Sequence, residues 1–248
     1  MLIGPQNLAE NLLGVRSRIA AAAARTARSE ESITLVAVSK AQPVENVLAA
    51  ARLGQRQFGE NYPQEGIAKI DALEASRAGT TTAQSTDEGR LEWHFIGQVQ
   101  SNKTRPVAER FDWVHSVDRG TIARRLSEQR PYYAPPLNVL LQVKLADEAA
   151  KGGVPPGSLP TLAKEVAGYP RLRLRGLMCI PPPSEEAERT RGHFRRLHEL
   201  LTDLRARGFE VDSLSMGMSA DYEVAIEEGA THVRVGTAIF GPREREPG

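Results

Sequence analysis

The sequence has 248 residues, 40% hydrophobic and 25% charged, enough apolar material for one large core beneath an ordinary polar surface. Lysine and arginine number 32 against 31 acidic residues, and this formal net charge of +1 gives no long-range field to draw in a polyanion, which argues against nucleic acid as the main ligand. With one cysteine, Cys179, no intrachain disulfide can form; its setting in Leu177-Met178-Cys179-Ile180 fits a buried, inert thiol better than a nucleophile. The opening MLIGPQNLAENLL has no basic residue before its apolar stretch and carries Glu10, so it does not read as a secretory signal. No apolar run approaches the roughly 20 residues of a membrane span, and a cytoplasmic location is expected.

Leu8, Leu12, Val15 and Ile19 recur on one face of an amphipathic N-terminal helix, which the alanine run after them extends. From Ile33 to Ser39 the pattern changes to a short, β-branched, nearly continuous apolar run, as expected of a strand buried on both faces of a parallel sheet. Pro43 then opens a helix with Val44, Val47, Leu48 and Ala51 on its apolar face, and Gly54 stops it. Further strands are expected at Arg56–Gly59, Glu92–Gly97, Trp113–Val117, Leu137–Val143, Arg173–Ile180, Val211–Ser215 and His232–Val235. Helices are expected at Pro63–Glu74, Arg119–Arg130, Ser158–Ala167, Glu185–Arg207 and Asp221–Glu228. The long one is the clearest, with Phe194, Leu197, Leu200, Leu201 and Leu204 on one side.

Eight strands, most followed by a helix, imply right-handed parallel crossovers, and eight such units in roughly 215 residues fit a closed (β/α)8 TIM-type barrel. A doubly wound open sheet is the rival, but no glycine-rich turn follows the first strand. The expected organisation is one domain: the N-terminal helix over 1–30, the barrel over 31–241 and a tail over 242–248. Ser76–Arg90 is small and polar and reads as a surface loop, while Pro181-Pro182-Pro183 reads as a stiff, extended one.

Parallel barrels work at the carboxyl ends of their strands. Lys40 ends the first run and shares a side with Val38, Val36 and Thr34. If that side faces inward, a desolvated primary amine is available to an aldehyde; otherwise Lys40 is a solvated residue opening a loop. The loops after strands seven and eight, around Ser219 and Gly236, stand where such barrels bind phosphate, because converging backbone N–H groups hold an anion and glycine lets it come close. Taken singly, Ser219 is equally well a helix cap and Gly236 a tight turn.

AVSKAQP, QFGENYPQEG, LEWHFIGQVQSNK, LRLRGLM, SMGMSADYEVAI and RVGTAIFG, in this order, resemble the pyridoxal phosphate homeostasis proteins over about Leu35–Gly241. That family is in turn similar to the barrel domain of bacterial alanine racemases. The resemblance implies a pyridoxal 5′-phosphate (PLP) cofactor joined to Lys40 as an internal aldimine. It also implies Arg234 at the pyridine nitrogen, and Gly236, Thr237, Ser219 and the Met218 backbone around the phosphate. A guanidinium offers donors only, so it meets the ring nitrogen unprotonated, which weakens the ring as an electron sink. Asn61 and His94, at the mouths of strands two and three, are candidates to bond the cofactor ring or hold Lys40; a satisfied structural role is the competing reading for both. Lys151, in a Lys-Gly-Gly loop, is a candidate for capture or release of cofactor. Two departures from the family pattern stand out: the long polar stretch at 76–90, and Gln42 where many members carry a second basic residue.

A PLP carrier without a dedicated reaction is the leading expectation, with apo-enzymes as transient clients and a monomeric state. A racemase needs an acid/base on each face of the substrate carbon, which the alanine racemases supply with a partner's tyrosine and a C-terminal β domain. Only seven residues follow Gly241 here, and Tyr62, Tyr132, Tyr133, Tyr169 and Tyr222 lie in no matching context. The alternatives are a fold-type-III racemase or decarboxylase and, from another class, a Schiff-base aldolase acting on a phosphorylated sugar.

Overall fold

The computed structural model describes residues 2–78, 89–146, 152–182 and 186–242. Eight parallel strands close into a barrel in sequence order: β1 (Thr34–Val38), β2 (Gln57–Glu60), β3 (Glu92–Phe95), β4 (Trp113–Val117), β5 (Leu137–Gln142), β6 (Leu172–Met178), β7 (Ser213–Ser215) and β8 (His232–Val235). Pairing of β1 with β8, Val36 opposite Arg234, completes the ring and excludes the open sheet. The helices are α1 (Pro5–Arg25), α2 (Val44–Arg52), α3 (Pro63–Ala78), α4 (Thr104–Arg110), α5 (Gly120–Gln129), α6 (Leu159–Ala167), α7 (Ala187–Ala206), α8 (Tyr222–Glu227) and the single turn α9 (Thr237–Phe240).

Most boundaries fall within two residues of the sequence reading, and the exceptions have physical causes. α4 was not expected: Pro106 lies in its first turn and only Thr104, Val107 and Ala108 are buried, too short an apolar stripe to register as periodicity. α3 continues to Ala78, so Ser76–Ala78 are helical and not part of a polar loop; the rest of that stretch up to residue 88, like Lys151 and Pro183, lies outside the described residues. Among the described residues, no helix is long and apolar enough to cross a membrane.

Two layers of burial result. The main core lies between barrel and helices, and Leu35 and Ala37 of β1 belong to the same buried cluster as Val47, Ala50 and Ala51 of α2. Leu8, Leu12, Val15 and Ile19 bury one face of α1, which packs on α2, α8 and α9. Each such side chain contributes about 1.5–3 kcal/mol, so Leu12→Asp would detach the helix. Inside the barrel the filling is different. Trp113, Leu140 and Met178 form a small apolar cluster, and much of the remaining interior is polar: His94, His115, His232, Ser215 and Arg234 are all buried. Branched aliphatic side chains fill most such interiors.

Candidate functional site

β1 alternates as its sequence demands: Leu35 and Ala37 face the helices, and Val38 and Lys40 turn to the barrel mouth. There a cavity of about 420 Å³ is lined by Val38, Lys40, Asn61, Ile96, Ile180, Met218, Ser219, Ala220, Arg234, Gly236 and Thr237. Of the nine residues singled out from the sequence, Lys151 lies outside the described residues and seven of the other eight share one cavity, of a size ordinary for a small-molecule site. His94 is the exception, and its reading as a cofactor contact gives way to the structural one. Its ring is fully buried in the barrel interior, with Nδ1 2.9 Å from His115 Nε2 and its plane stacked on Trp113.

Ion pairing fixes the chain around Lys40 from outside the barrel. Lys69 Nζ on α3 donates to the Ser39 carbonyl oxygen at 2.6 Å and to Glu60 Oε1 and Glu65 Oε1, each at 2.7 Å. Glu65 Oε1 also accepts from the backbone N–H of Ala41 at 2.5 Å, and Ser39 Oγ donates to Glu60 Oε1 at 2.7 Å. Both peptide units flanking Lys40 are thus held by one cluster, and Ala41 adopts a left-handed φ of 57°. Burial raises the Glu60 carboxyl above its usual range, and Lys69 opposes the rise.

On β8, the strand that pairs with β1, Arg234 is 4% exposed. It donates to Ser215 Oγ at 2.6 Å and to the Cys179 carbonyl oxygen at 3.0 Å. Two of the five guanidinium N–H groups are thereby accounted for. Burial lowers its pKa, and the nearby Cys179 and Asp221 work against that fall. The Cys179 thiol itself is pushed up to about 12 by burial, so it stays protonated and inert, as its sequence setting suggested.

The β7–α8 loop departs from expectation at one atom. The Met218 N–H donates to Asp221 Oδ1 at 2.6 Å, so the backbone donor assigned to a phosphate is already engaged, and Met218 meets the cavity as a lining residue only. Gly217, with φ 89°, lets this loop fold against α8, while Gly236 caps α9 and approaches Val38 closely. Ser219 makes no cap bond to α8 and lines the cavity instead.

The lining tests well against PLP. Lys40 supplies an amine for an aldehyde, Arg234 a buried donor for a ring nitrogen, and Ser219 and Thr237 hydroxyls for an anion. Asn61 Oδ1 is buried without a hydrogen-bond partner, an acceptor suited to a hydroxyl such as the cofactor ring carries. None of the five tyrosines lines the cavity; Tyr62, Tyr132 and Tyr133 are exposed and Tyr222 is buried behind α1.

Sequence reasoning missed His115, His232, Ser215, Glu65 and Lys69. His115 was legible in principle, since it shares the inward side of β4 with Trp113, two residues before it. Glu65 and Lys69 were readable only as an i,i+4 pair, a pattern far commoner on exposed helix faces. Three histidines gather in the interior, yet among the described residues no three His, Cys, Asp or Glu side chains are arranged to hold a metal.

Comparison with known proteins places the chain in a family and a fold. The family model described as alanine racemase, N-terminal domain, matches residues 11–244. The chain is 50% identical over 238 residues to the pyridoxal phosphate homeostasis protein of Escherichia coli strain K12, covering 96% of this chain and 97% of the relative. It is 52% identical over 237 residues to the protein of that name from Pseudomonas aeruginosa, covering 96% of each. Among solved structures it is similar to PipY of Synechococcus elongatus PCC7942 with PLP bound, at 36% identity and a TM-score of 0.79, covering 94% of this chain and all of that one. Alanine racemase from Corynebacterium glutamicum, at 16% identity and a TM-score of 0.64, shares the fold over 96% of this chain and 61% of its own. The chain belongs to the pyridoxal phosphate homeostasis proteins, within the family of the alanine racemase N-terminal domain.

Proposed function

We propose that this protein binds PLP covalently through Lys40 and serves intracellular PLP homeostasis, holding and delivering the cofactor without a dedicated reaction of its own. One observation carries the reading: Lys40, Arg234 and the loops around Ser219 and Gly236 line a single cavity, although they come from opposite ends of the chain. The naming of the curated relatives and the PLP bound to PipY support the choice of ligand.

When bound, the cofactor supplies an aldehyde that condenses reversibly with a primary amine, releasing water. The residues of the chain do the rest. Lys40 presents the amine, with its backbone fixed by Glu65 and Lys69. Arg234 presents donors to the ring nitrogen, and Asn61 Oδ1 presents an acceptor to the ring hydroxyl. Ser219, Thr237 and the backbone at Gly236 hold the phosphate. Among the described lining residues, Lys40 and Arg234 are the titratable groups, and a guanidinium does not exchange protons at neutral pH. A racemase would need a second acid/base there, which favours the carrier. The clients in this reading are apo-enzymes that take the cofactor from a site open at the barrel mouth, and the protein acts as a monomer in the cytoplasm.

The test is the absorption spectrum of the purified protein with and without added PLP, before and after borohydride reduction. Wild type should be yellow and trap the cofactor on Lys40, and Lys40→Ala should do neither. A colourless wild type that reduction does not label would end the proposal. Turnover of an amino acid by the yellow protein would replace the carrier with an enzyme, and transfer of the cofactor to an apo-enzyme is the positive result.

A further inference from the structure

Arg234 belongs to a longer chain of contacts that the binding of PLP does not itself require. Its Nη1 lies 2.6 Å from Ser215 Oγ, which lies 2.8 Å from His115 Nδ1. His115 Nε2 lies 2.9 Å from His94 Nδ1. His94 Nε2 has no hydrogen-bond partner, is fully buried, and stands 3.9 Å from Glu92 Oε2. Glu92 is the first residue of β3, at the barrel end opposite the cavity, where its Oε1 accepts from Trp113 Nε1 at 3.0 Å.

Hydrogen-bond chemistry gives this chain a direction. A guanidinium only donates, so Ser215 Oγ accepts from Arg234. Of the two groups that Ser215 Oγ meets, Arg234 and His115, its hydroxyl proton then finds an acceptor only at His115 Nδ1. Burial pushes both His94 and His115 well below the ordinary histidine range, so each ring is neutral and carries one proton. With Nδ1 accepting, the proton of His115 sits on Nε2 and is donated to His94 Nδ1. The proton of His94 then sits on its own Nε2, directed at the Glu92 carboxylate. The reverse order would leave the Ser215 proton without an acceptor and set a lone pair of His94 against that carboxylate.

We infer that Ser215, His115 and His94 form an oriented hydrogen-bond relay from Arg234 to His94, whose remaining ring nitrogen faces Glu92 across 3.9 Å, and that it positions the Arg234 guanidinium at the floor of the cavity. The three are positioning residues, acting on a ligand through Arg234. The inference rests on the PLP reading for its purpose, but not for its geometry, and the two are tested separately.

The test is long-range ¹H–¹⁵N correlation NMR of the histidine rings in the full chain, first without cofactor. Both His94 and His115 should show a pyrrole-like, protonated Nε2 and a pyridine-like Nδ1. A protonated Nδ1 on His115, or an imidazolium on either ring, overturns the relay. Added PLP should then shift the His115 and His94 ring nitrogens in wild type. In Ser215→Ala the shift at His94 should be lost, and the affinity for PLP should fall about 10–100-fold, the scale of one hydrogen bond to a charged group. If Ser215→Ala leaves both the tautomers and the affinity unchanged, the relay has no positioning role. If PLP produces no spectral change at all, the proposed function fails, while the tautomers in the cofactor-free protein still decide the relay.

Discussion

Lys69 Nζ lies 2.6 Å from the carbonyl oxygen of Ser39, the residue before the proposed cofactor lysine, and bonds Glu60 and Glu65 from the same position. Lys69 and Glu60 are 7% and 0% exposed at the side chain, so removing one partner strands the other in a dry site. Lys69→Met should cost about 3–5 kcal/mol in urea unfolding. Glu60→Gln placed on top of it should recover part of that loss. Capture of PLP by Lys69→Met, followed by stopped-flow absorbance, should also slow, because the Ser39 carbonyl before Lys40 loses its donor and Glu65, which holds the Ala41 N–H, loses its ion-pair partner. A variant as stable and as fast as wild type would show that the cluster is incidental.

Gly217 is the tightest point of the β7–α8 loop. With φ 89°, an added Cβ would stand 2.6 Å from Ala225 Cβ and 2.8 Å from Tyr222 Cα. Gly217→Ala should therefore cost about 2–4 kcal/mol from left-handed strain and overpacking combined. The Gly217 carbonyl accepts the Arg234 N–H at 3.0 Å, so PLP affinity should fall in the same variant. Thermal melts and a PLP titration measure the two effects separately.

Acid should weaken the fold through the interior histidines. Burial pushes His94 and His115 well below the usual range and His232 to about 4. Their folded pKa values lie below the unfolded value near 6.5, so the unfolded chain binds protons first. Stability is then constant above about pH 7 and falls as the pH drops below 6.5 towards the folded values. Between pH 7 and 5.5 the loss is about 1 kcal/mol for each histidine. Glu60 and Asp221, both raised by burial, act with the opposite sign in acid and reduce the total. Urea midpoints across this range give the slope, which should be shallower in His232→Asn.

The loops around Ser219 and Gly236 are assigned to a phosphate, so pyridoxal lacking it should bind far more weakly than PLP. Two lost hydrogen bonds to a charged group, at about 1.5–3 kcal/mol each, predict a drop of at least ~100-fold. Absorbance titrations of wild type with the two compounds make the comparison. Equal affinities would remove the phosphate role from both loops.

The barrel was readable because its signals are local and repeated. Apolar runs of strand length alternate with stripes such as Phe194–Leu204, and the strand ends locate the working face. Lys40, Ser219 and Gly236 follow from that rule together with loop chemistry. The interior was not readable in the same way. The position of His94 at a strand mouth suggested the cavity, but its inward turn in mid-strand, beside His115, is a matter of register between strands that the sequence does not spell out. The engagement of the Met218 N–H by Asp221 was likewise hidden, since it depends on a turn three residues wide.

Closure of the ring between β1 and β8 brings the proposed attachment point and its anion grip side by side, yet they belong to the first and last strands that a ribosome would deliver. A nascent chain carrying Lys40 alone has nothing to seat a vitamin against. The complete lining exists only once Gly236 has been made and β8 has paired with β1, which ties the proposed site to the closed ring.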